Sequence, residues 1–402
     1  MSLLFDLSSA QPQGDMVING GGEYAYLLFC ELLKNISPNE VTVLLASFNG
    51  ENSNVINLCK KNNIKIIYYD IVENITGIIA EGKYNKVVFP VCYCKYGSVK
   101  ISNSVQVYTV IHDLCDLYYY GANVKIGEFI SKYKYINTLR KIKKGLVRKK
   151  RMEEIIQSHN KILNLSLNQH IYTVSYYTKS AMIKYLDCGD KNINVYYTPE
   201  RIMHKNISID RDSIFEKYGI KPKKFFMLMA GCRWTKNNAI VLKTLDNMFG
   251  NPRYNMFLDN FKVVLLGVDS RNLDFYHREL TQIDRFIFDG YVDDVTLDVL
   301  YKEAYLFVFP SILEGFGLPP IEAMKRKTLC ACSTAMSIPE VCGDAAIYFD
   351  PYDSNSIEQA IIRSFDKKLK VILESNMEKR LLSLAKKRED DLKEIILDIV
   401  SK

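Results

Sequence analysis

The feature that most constrains this chain is an alternation: short apolar runs, too short for helices, recur between segments of helical periodicity from one end to the other. In the first half, the runs at 3–6, 41–47, 64–68, 86–90, 107–112, 171–175 and 193–197 are rich in β-branched and aromatic residues and read as buried strands. Segments 23–34 and 178–186 read as helices between them. Strands alternating with helices make right-handed βαβ units, which assemble into a parallel sheet. From 198 to 224 the pattern gives way to a polar stretch bounded by Pro199 and Pro222. It then restarts, with runs at 225–230, 261–266, 285–288, 306–310, 329–333 and 346–349 and helical segments at 238–248, 294–304 and 357–365. The expectation is two doubly wound α/β domains, 1–198 and 225–377, joined by a linker at 199–224 and followed by a charged amphipathic helix at 378–402. A length of 402 residues agrees, at roughly 150 residues per domain.

Composition removes several classes of function. Hydrophobic residues at 48% and charged residues at 25% belong to an ordinary globular chain, neither disordered nor fibrous. Lys plus Arg (53) less Asp plus Glu (46) leaves +7, too mild for a dedicated nucleic-acid binder, and no groove-reading motif is present. Ten cysteines form no C-x-x-C pair, so zinc-finger spacing is absent and reduced thiols in the cytoplasm are expected. The start, MSLLFDLSSA, lacks the basic region of a signal peptide, and no uninterrupted apolar stretch reaches membrane-spanning length. One segment stands apart. Residues 132–151, KYKYINTLRKIKKGLVRKKR, hold ten basic and no acidic side chains, with Ile136, Leu139, Ile142, Leu146 and Val147 near one helical face. Such a helix suits the inner face of an anionic membrane; a solvated helix packing its apolar stripe on the first domain explains it equally well.

The most informative loop follows the run at 306–310: Ser311-Ile312-Leu313-Glu314-Gly315-Phe316-Gly317-Leu318-Pro319-Pro320-Ile321-Glu322. Gly315 and Gly317 permit positive φ and close approach of backbone N–H groups to a ligand. Pro319 and Pro320 suit the first turn of a helix, whose N-terminus is an anion site. Glu314 and Glu322 flank it, although Glu322 could equally do no more than complement the helix dipole. Asp293-Asp294 lacks D-x-D spacing, so no metal is implied.

E-G-F-G-L-P-P-I-E, two glutamates with seven residues between them, resembles the signature of family 4 retaining glycosyltransferases of the GT-B fold. Phe288-Asp289-Gly290-Tyr291-Val292-Asp293-Asp294 resembles that family's G-Y-V-x-D loop, and Ser337-Ile338-Pro339-Glu340-Val341-Cys342-Gly343-Asp344-Ala345-Ala346 its P-E-V-x-G-D-A-A stretch. The resemblance implies an α/β GT-B architecture, two Rossmann-like doubly wound domains facing a central cleft, the first binding acceptor and the second the nucleotide sugar. It implies a hexosyltransferase that moves sugar from a nucleoside diphosphate to the hydroxyl of a glycan or lipid-linked acceptor, without metal or other cofactor, in surface polysaccharide synthesis. Glu322 would hold the ribose hydroxyls, and Glu314 would lie against the donor sugar. Phe316, Gly317 and Leu318 would offer backbone, and the backbone of Tyr291 and Val292 would read the base. Arg233 and Lys236, after the run at 225–230, would neutralise the departing diphosphate, although their three-residue spacing is shorter than the family's usual one. Gly20-Gly21-Gly22, ahead of a helix at Tyr24, resembles the glycine-rich loop near the diphosphate, and His112 the family's H-D histidine at the donor sugar. Thr178 is a candidate helix cap. A catalytically inactive nucleotide-sugar-binding subunit of the same fold is the alternative.

Overall fold

The computed structural model describes residues 2–12, 20–118, 138–200, 211–230, 234–268 and 273–401. The chain divides into two compact units, 1–201 with 386–402 and 202–385.

In unit 1, β1 (Leu3–Asp6), β2 (Val41–Ala46), β3 (Lys65–Tyr69), β4 (Lys86–Phe89), β5 (Gln106–Ile111), β6 (Gln169–Thr173) and β7 (Ile193–Val195) form one sheet in the order β3-β2-β1-β4-β5-β6-β7. In unit 2, β8 (Phe225–Met229), β9 (Lys262–Leu266), β10 (Phe286–Phe288), β11 (Leu306–Phe309), β12 (Leu329–Ser333) and β13 (Ile347–Phe349) follow β10-β9-β8-β11-β12-β13. Every pairing, such as Leu3 with Val41 and Leu306 with Leu329, is parallel. The expected runs thus become strands within a residue or two at each end. Central strands are buried throughout because helices cover both faces of a parallel sheet: β1, β2, β4, β8, β11 and β12 are close to unbroken apolar core. β3 corrects the expectation of burial. It is an edge strand, and Tyr68 is 47% exposed.

The strand order reverses between β1 and β4 in unit 1 and between β8 and β11 in unit 2. At such a reversal the two following loops diverge and leave a crevice beyond the carboxyl ends of the strands, where ligands bind in open α/β sheets.

Two boundaries differ from the sequence reading. Part of the stretch read as a linker is a helix, Arg211–Tyr218, which buries Ile214, Phe215 and Tyr218 within unit 2. The final helix begins at Lys367 rather than 378 and runs to Val400, and its last turns belong to unit 1. There the Lys86 ammonium donates to the Ile399 carbonyl at 2.7 Å, the Tyr108 hydroxyl to the Asp398 carbonyl at 3.1 Å, and the Tyr197 amide to Asp391 Oδ2 at 2.8 Å.

Candidate active site

In unit 2 the chemistry collects at the β8–β11 reversal. Pro310 ends β11, and the loop to Gly317 is held by hydroxyls and amides rather than by packing alone. The Ile312 amide and the Ser311 hydroxyl both donate to the Thr235 carbonyl, at 2.9 and 3.3 Å, tying this loop to the segment after β8. Ser333, at the end of β12, donates to the Ser311 carbonyl at 2.5 Å. The buried Ser337 hydroxyl lies 3.0 Å from the carbonyls of both Glu314 and Phe316. These contacts turn loop carbonyls inward onto hydroxyls.

Gly317 sits at φ +97°, outside the range that side-chain-bearing residues adopt comfortably, and opens the helix Leu318–Lys325. The two prolines fall in its first turn as expected, with a consequence the sequence reading overlooked. Proline has no N–H, so two of the four amides that a helix start normally exposes are missing. In that turn Gly317 and Leu318 are left as the donors.

Lys236 and Glu314 face each other across the reversal. Nζ and Oε1 are 2.6 Å apart, with side chains 17% and 15% exposed, and the ammonium stands 5.1 Å from the centre of the Phe309 ring. Asn237 follows at φ +56°, buried, its amide donating to the Pro351 carbonyl at 2.7 Å. Glu322, one turn into its helix, is half-buried and accepts from the Tyr301 hydroxyl at 3.3 Å. Burial and the neighbouring Glu322 charge hold that hydroxyl far above its ordinary pKa, so it acts as a donor. Tyr301 left no mark in the sequence; it is one aromatic on the inner face of the helix Asp294–Glu303.

Tyr291, 67% exposed, and half-buried Val292 stand at the end of β10, separated in the sheet from β11 by β9 and β8. Gly290 and Asp289 prolong the ladder, their carbonyls accepting from the amides of Gly267 and Val268 at 2.8 and 3.0 Å. Burial works against charge on Asp289, but hydrogen bonds from Tyr218, the Gly290 amide and Lys217 outweigh it and lower its pKa. Asp293 caps the next helix, accepting from the amides of Val295 and Thr296 at 3.0 and 2.8 Å. Arg233 lies outside the described residues.

Unit 1 holds the other candidates. His112 follows β5; its Nε2–H donates to the Pro90 carbonyl at 2.9 Å, and its ring meets Tyr24 edge-on at 4.7 Å. A carbonyl only accepts, so Nδ1 is left as the acceptor nitrogen. Burial lowers the His112 pKa and favours neutral imidazole. Gly20, Gly21 and Gly22 do not precede the helix but form the first turn of Gly20–Leu32, a correction. Thr178 is not the cap of Tyr176–Tyr185. Ser175 is, accepting from the Thr178 amide at 3.1 Å, while the Thr178 hydroxyl donates to the His112 carbonyl at 3.1 Å.

Residues 210–387 match a family model described as "Glycosyl transferases group 1". An "O-antigen chain mannosyltransferase" of Salmonella typhimurium is 28% identical over 205 residues, 50% of this chain and 52% of that protein. The chain thus spans about half the length of that curated relative. Among solved structures, a glycosyltransferase "involved in lipopolysaccharide biosynthesis", WaaG, superposes with a TM-score of 0.66 at 13% identity over the whole of both chains. Anabaena HepE "in complex with UDP and glucose" superposes with a TM-score of 0.61 at 13% identity over 98% of this chain and all of that one. At these identities the likeness establishes the fold, two parallel-sheet Rossmann-like domains of the GT-B kind.

Proposed function

The chain belongs, through residues 210–387, to the glycosyl transferases group 1 family, and from that premise we propose that it transfers a hexosyl group from a nucleoside-diphosphate sugar to a hydroxyl acceptor with retention of configuration. The Salmonella relative supports mannose as the sugar and a growing surface glycan, lipid-linked or free, as the acceptor.

The observation that carries this reading is the Lys236–Glu314 pair at the strand-order reversal, beside a helix start opened by Gly317. A diphosphate leaves only if its growing charge meets preorganised positive groups. Lys236, the amides of Gly317 and Leu318, and Arg233 by family resemblance supply them without calling on a metal. Glu322 then takes the ribose hydroxyls, with Tyr301 fixing one carboxylate oxygen. Glu314 exchanges Lys236 for the donor sugar as the diphosphate draws the ammonium away. Among the described residues none stands out as a protein nucleophile, which favours a front-face path in which the leaving phosphate accepts the acceptor proton. Neutral His112 offers Nδ1 to a sugar hydroxyl.

Residues 132–151 are proposed to meet an anionic membrane. The described backbone is helical from Thr138 to Ile162; 132–137 lie outside the described residues. Among the described residues no helix is long and apolar enough to cross a membrane.

Thermal unfolding with UDP-, GDP- and ADP-sugars tests donor use. At 100 times its dissociation constant a true donor adds about 2.7 kcal/mol. Glu322→Ala should weaken binding of the matching free nucleoside diphosphate, whereas Glu314→Gln should keep that binding and lose turnover. No stabilisation by any of the three sugars, or the reverse pattern between the glutamates, would refute the assignment.

A further inference from the structure

Three side chains distant in sequence meet in unit 1. Cys94 opens the turn Cys94–Ser98 after β4, Asp116 lies in the turn Cys115–Leu117 after β5, and His159 is near the end of the helix Thr138–Ile162. Cys94 Sγ is 3.1 Å from Asp116 Oδ2, and His159 Nε2 is 3.1 and 3.3 Å from the two Asp116 oxygens. One donor atom from each residue lies within 4.8 Å of the other two. The His159 side chain is 4% exposed and that of Asp116 40%. Cys94 also borders a pocket of about 550 Å³ shared with Phe48, Asp70, Lys95, Ser98 and Lys161.

We propose that Cys94, Asp116 and His159 form a three-ligand site for a zinc-type ion, with its fourth position left to solvent. Thiolate, imidazole and carboxylate are zinc's ligand set, whereas calcium and magnesium take oxygen ligands. Zinc holds N and O at about 2.0 Å and S at about 2.3 Å, so the edges of its tetrahedron measure roughly 3.3–3.8 Å. The observed 3.1–3.3 Å contacts to Asp116 need to open by a few tenths of an ångström, and the sulfur and Nε2, within 4.8 Å of each other, need to settle at about 3.5 Å, to admit an ion. Without one, the Cys94 S–H and the His159 Nε2–H both spend their hydrogens on Asp116. On binding, the sulfur, Nε2 and a carboxylate oxygen bond to the ion. The thiol proton goes to solvent and the ring proton moves to Nδ1, so one proton is released per ion. Nδ1 is buried with no hydrogen-bond partner. Metal-bound histidines usually donate from that second nitrogen, so affinity falls short of a fully supported site. No short spacing in sequence marks the site, because its ligands come from three separate elements. The site lies within unit 1 and does not depend on the transfer reaction proposed above.

The test uses the full chain, stripped with chelator and titrated with Co²⁺. The site predicts one equivalent bound, a near-ultraviolet thiolate-to-cobalt band, displacement by Zn²⁺ and release of one proton. Cys94→Ala should abolish the band and weaken binding by about 100-fold or more. Cys94→Ser, which keeps a hydrogen-bond donor to Asp116, should retain the wild-type far-ultraviolet spectrum and lose the band. Absence of a band in the wild type overturns the proposal and leaves a hydrogen-bonded fastening of the long helix. A band that survives in Cys94→Ser assigns the metal to another cysteine and overturns it too.

Discussion

Replacing Lys236 by Ala tests more than loss of a cation, because its partner stays behind. Nζ and Glu314 Oε1 are 2.6 Å apart and both side chains are less than one-fifth exposed, so solvent screens the pair only in part. A charge-assisted hydrogen bond of this kind is worth about 1.5–3 kcal/mol, and its loss leaves a half-desolvated carboxylate. For a unit of this size, about 2–4 °C per kcal/mol converts that into a fall of about 3–12 °C in Tm. Glu314→Gln should cost less, since its amide oxygen still accepts from Lys236. In the double variant no stranded charge remains. Its loss of stability should therefore undershoot the sum of the singles by about 0.5–3 kcal/mol, the usual coupling for residues in contact. Turnover should follow the same logic: each single variant loses about 10²–10³, and the double loses far less than the product. Calorimetric melting of all four proteins and steady-state kinetics give the complete cycle. Additive losses in both stability and turnover would mean that the two side chains act independently, and the exchange of partners proposed for donor binding would fall.

Gly317→Ala should cost about 1–3 kcal/mol in backbone strain alone, because its added Cβ would meet nothing nearer than Ile338 Cγ1 at 3.8 Å. Gly317→Asn should recover part of the loss, and equal melting of the two variants would contradict the conformational argument. Burial depresses the His112 pKa below 6.5, so as pH falls below about 6.5 the unfolded chain binds protons before the native one does and stability declines. His112→Gln should flatten that decline in melts between pH 7.5 and 5.5, and parallel curves for wild type and variant would disprove it. The protein should pellet with phosphatidylglycerol vesicles at low salt, release as salt rises, and fail to pellet when Lys143, Lys144, Lys149 and Lys150 become Gln. Equal pelleting with neutral vesicles would count against an electrostatic contact.

The strands were legible because burial on both faces demands unbroken apolar runs, a one-dimensional pattern that survives in sequence. The turn at Gly317 and the prolines after it were legible for a related reason: each removes backbone options in a way other residues do not. Polar partnerships were not. Nothing in sequence tied Ser337 to the carbonyls of Glu314 and Phe316, or Tyr301 to Glu322, because such contacts join points that the chain's periodicity does not connect. The helix start at Lys367 was missed because its first turns are dense in lysine, although Leu373 and Met377 are buried one turn apart. At Ser175 and Thr178 both residues suit a cap, and only geometry decides which accepts.

The last turns of the final helix set a schedule for synthesis. Lys86 is 3% exposed, and its ammonium finds the Ile399 carbonyl 313 positions later in the chain. A ribosome adding roughly 5–20 residues per second takes about 15–60 s to deliver that partner. All of unit 2 emerges in the interval and can close its own sheet first. Unit 1 meanwhile has all seven of its strands synthesised, ending at Val195, but not the carbonyl that its buried lysine needs, the window in which a chaperone has something to hold.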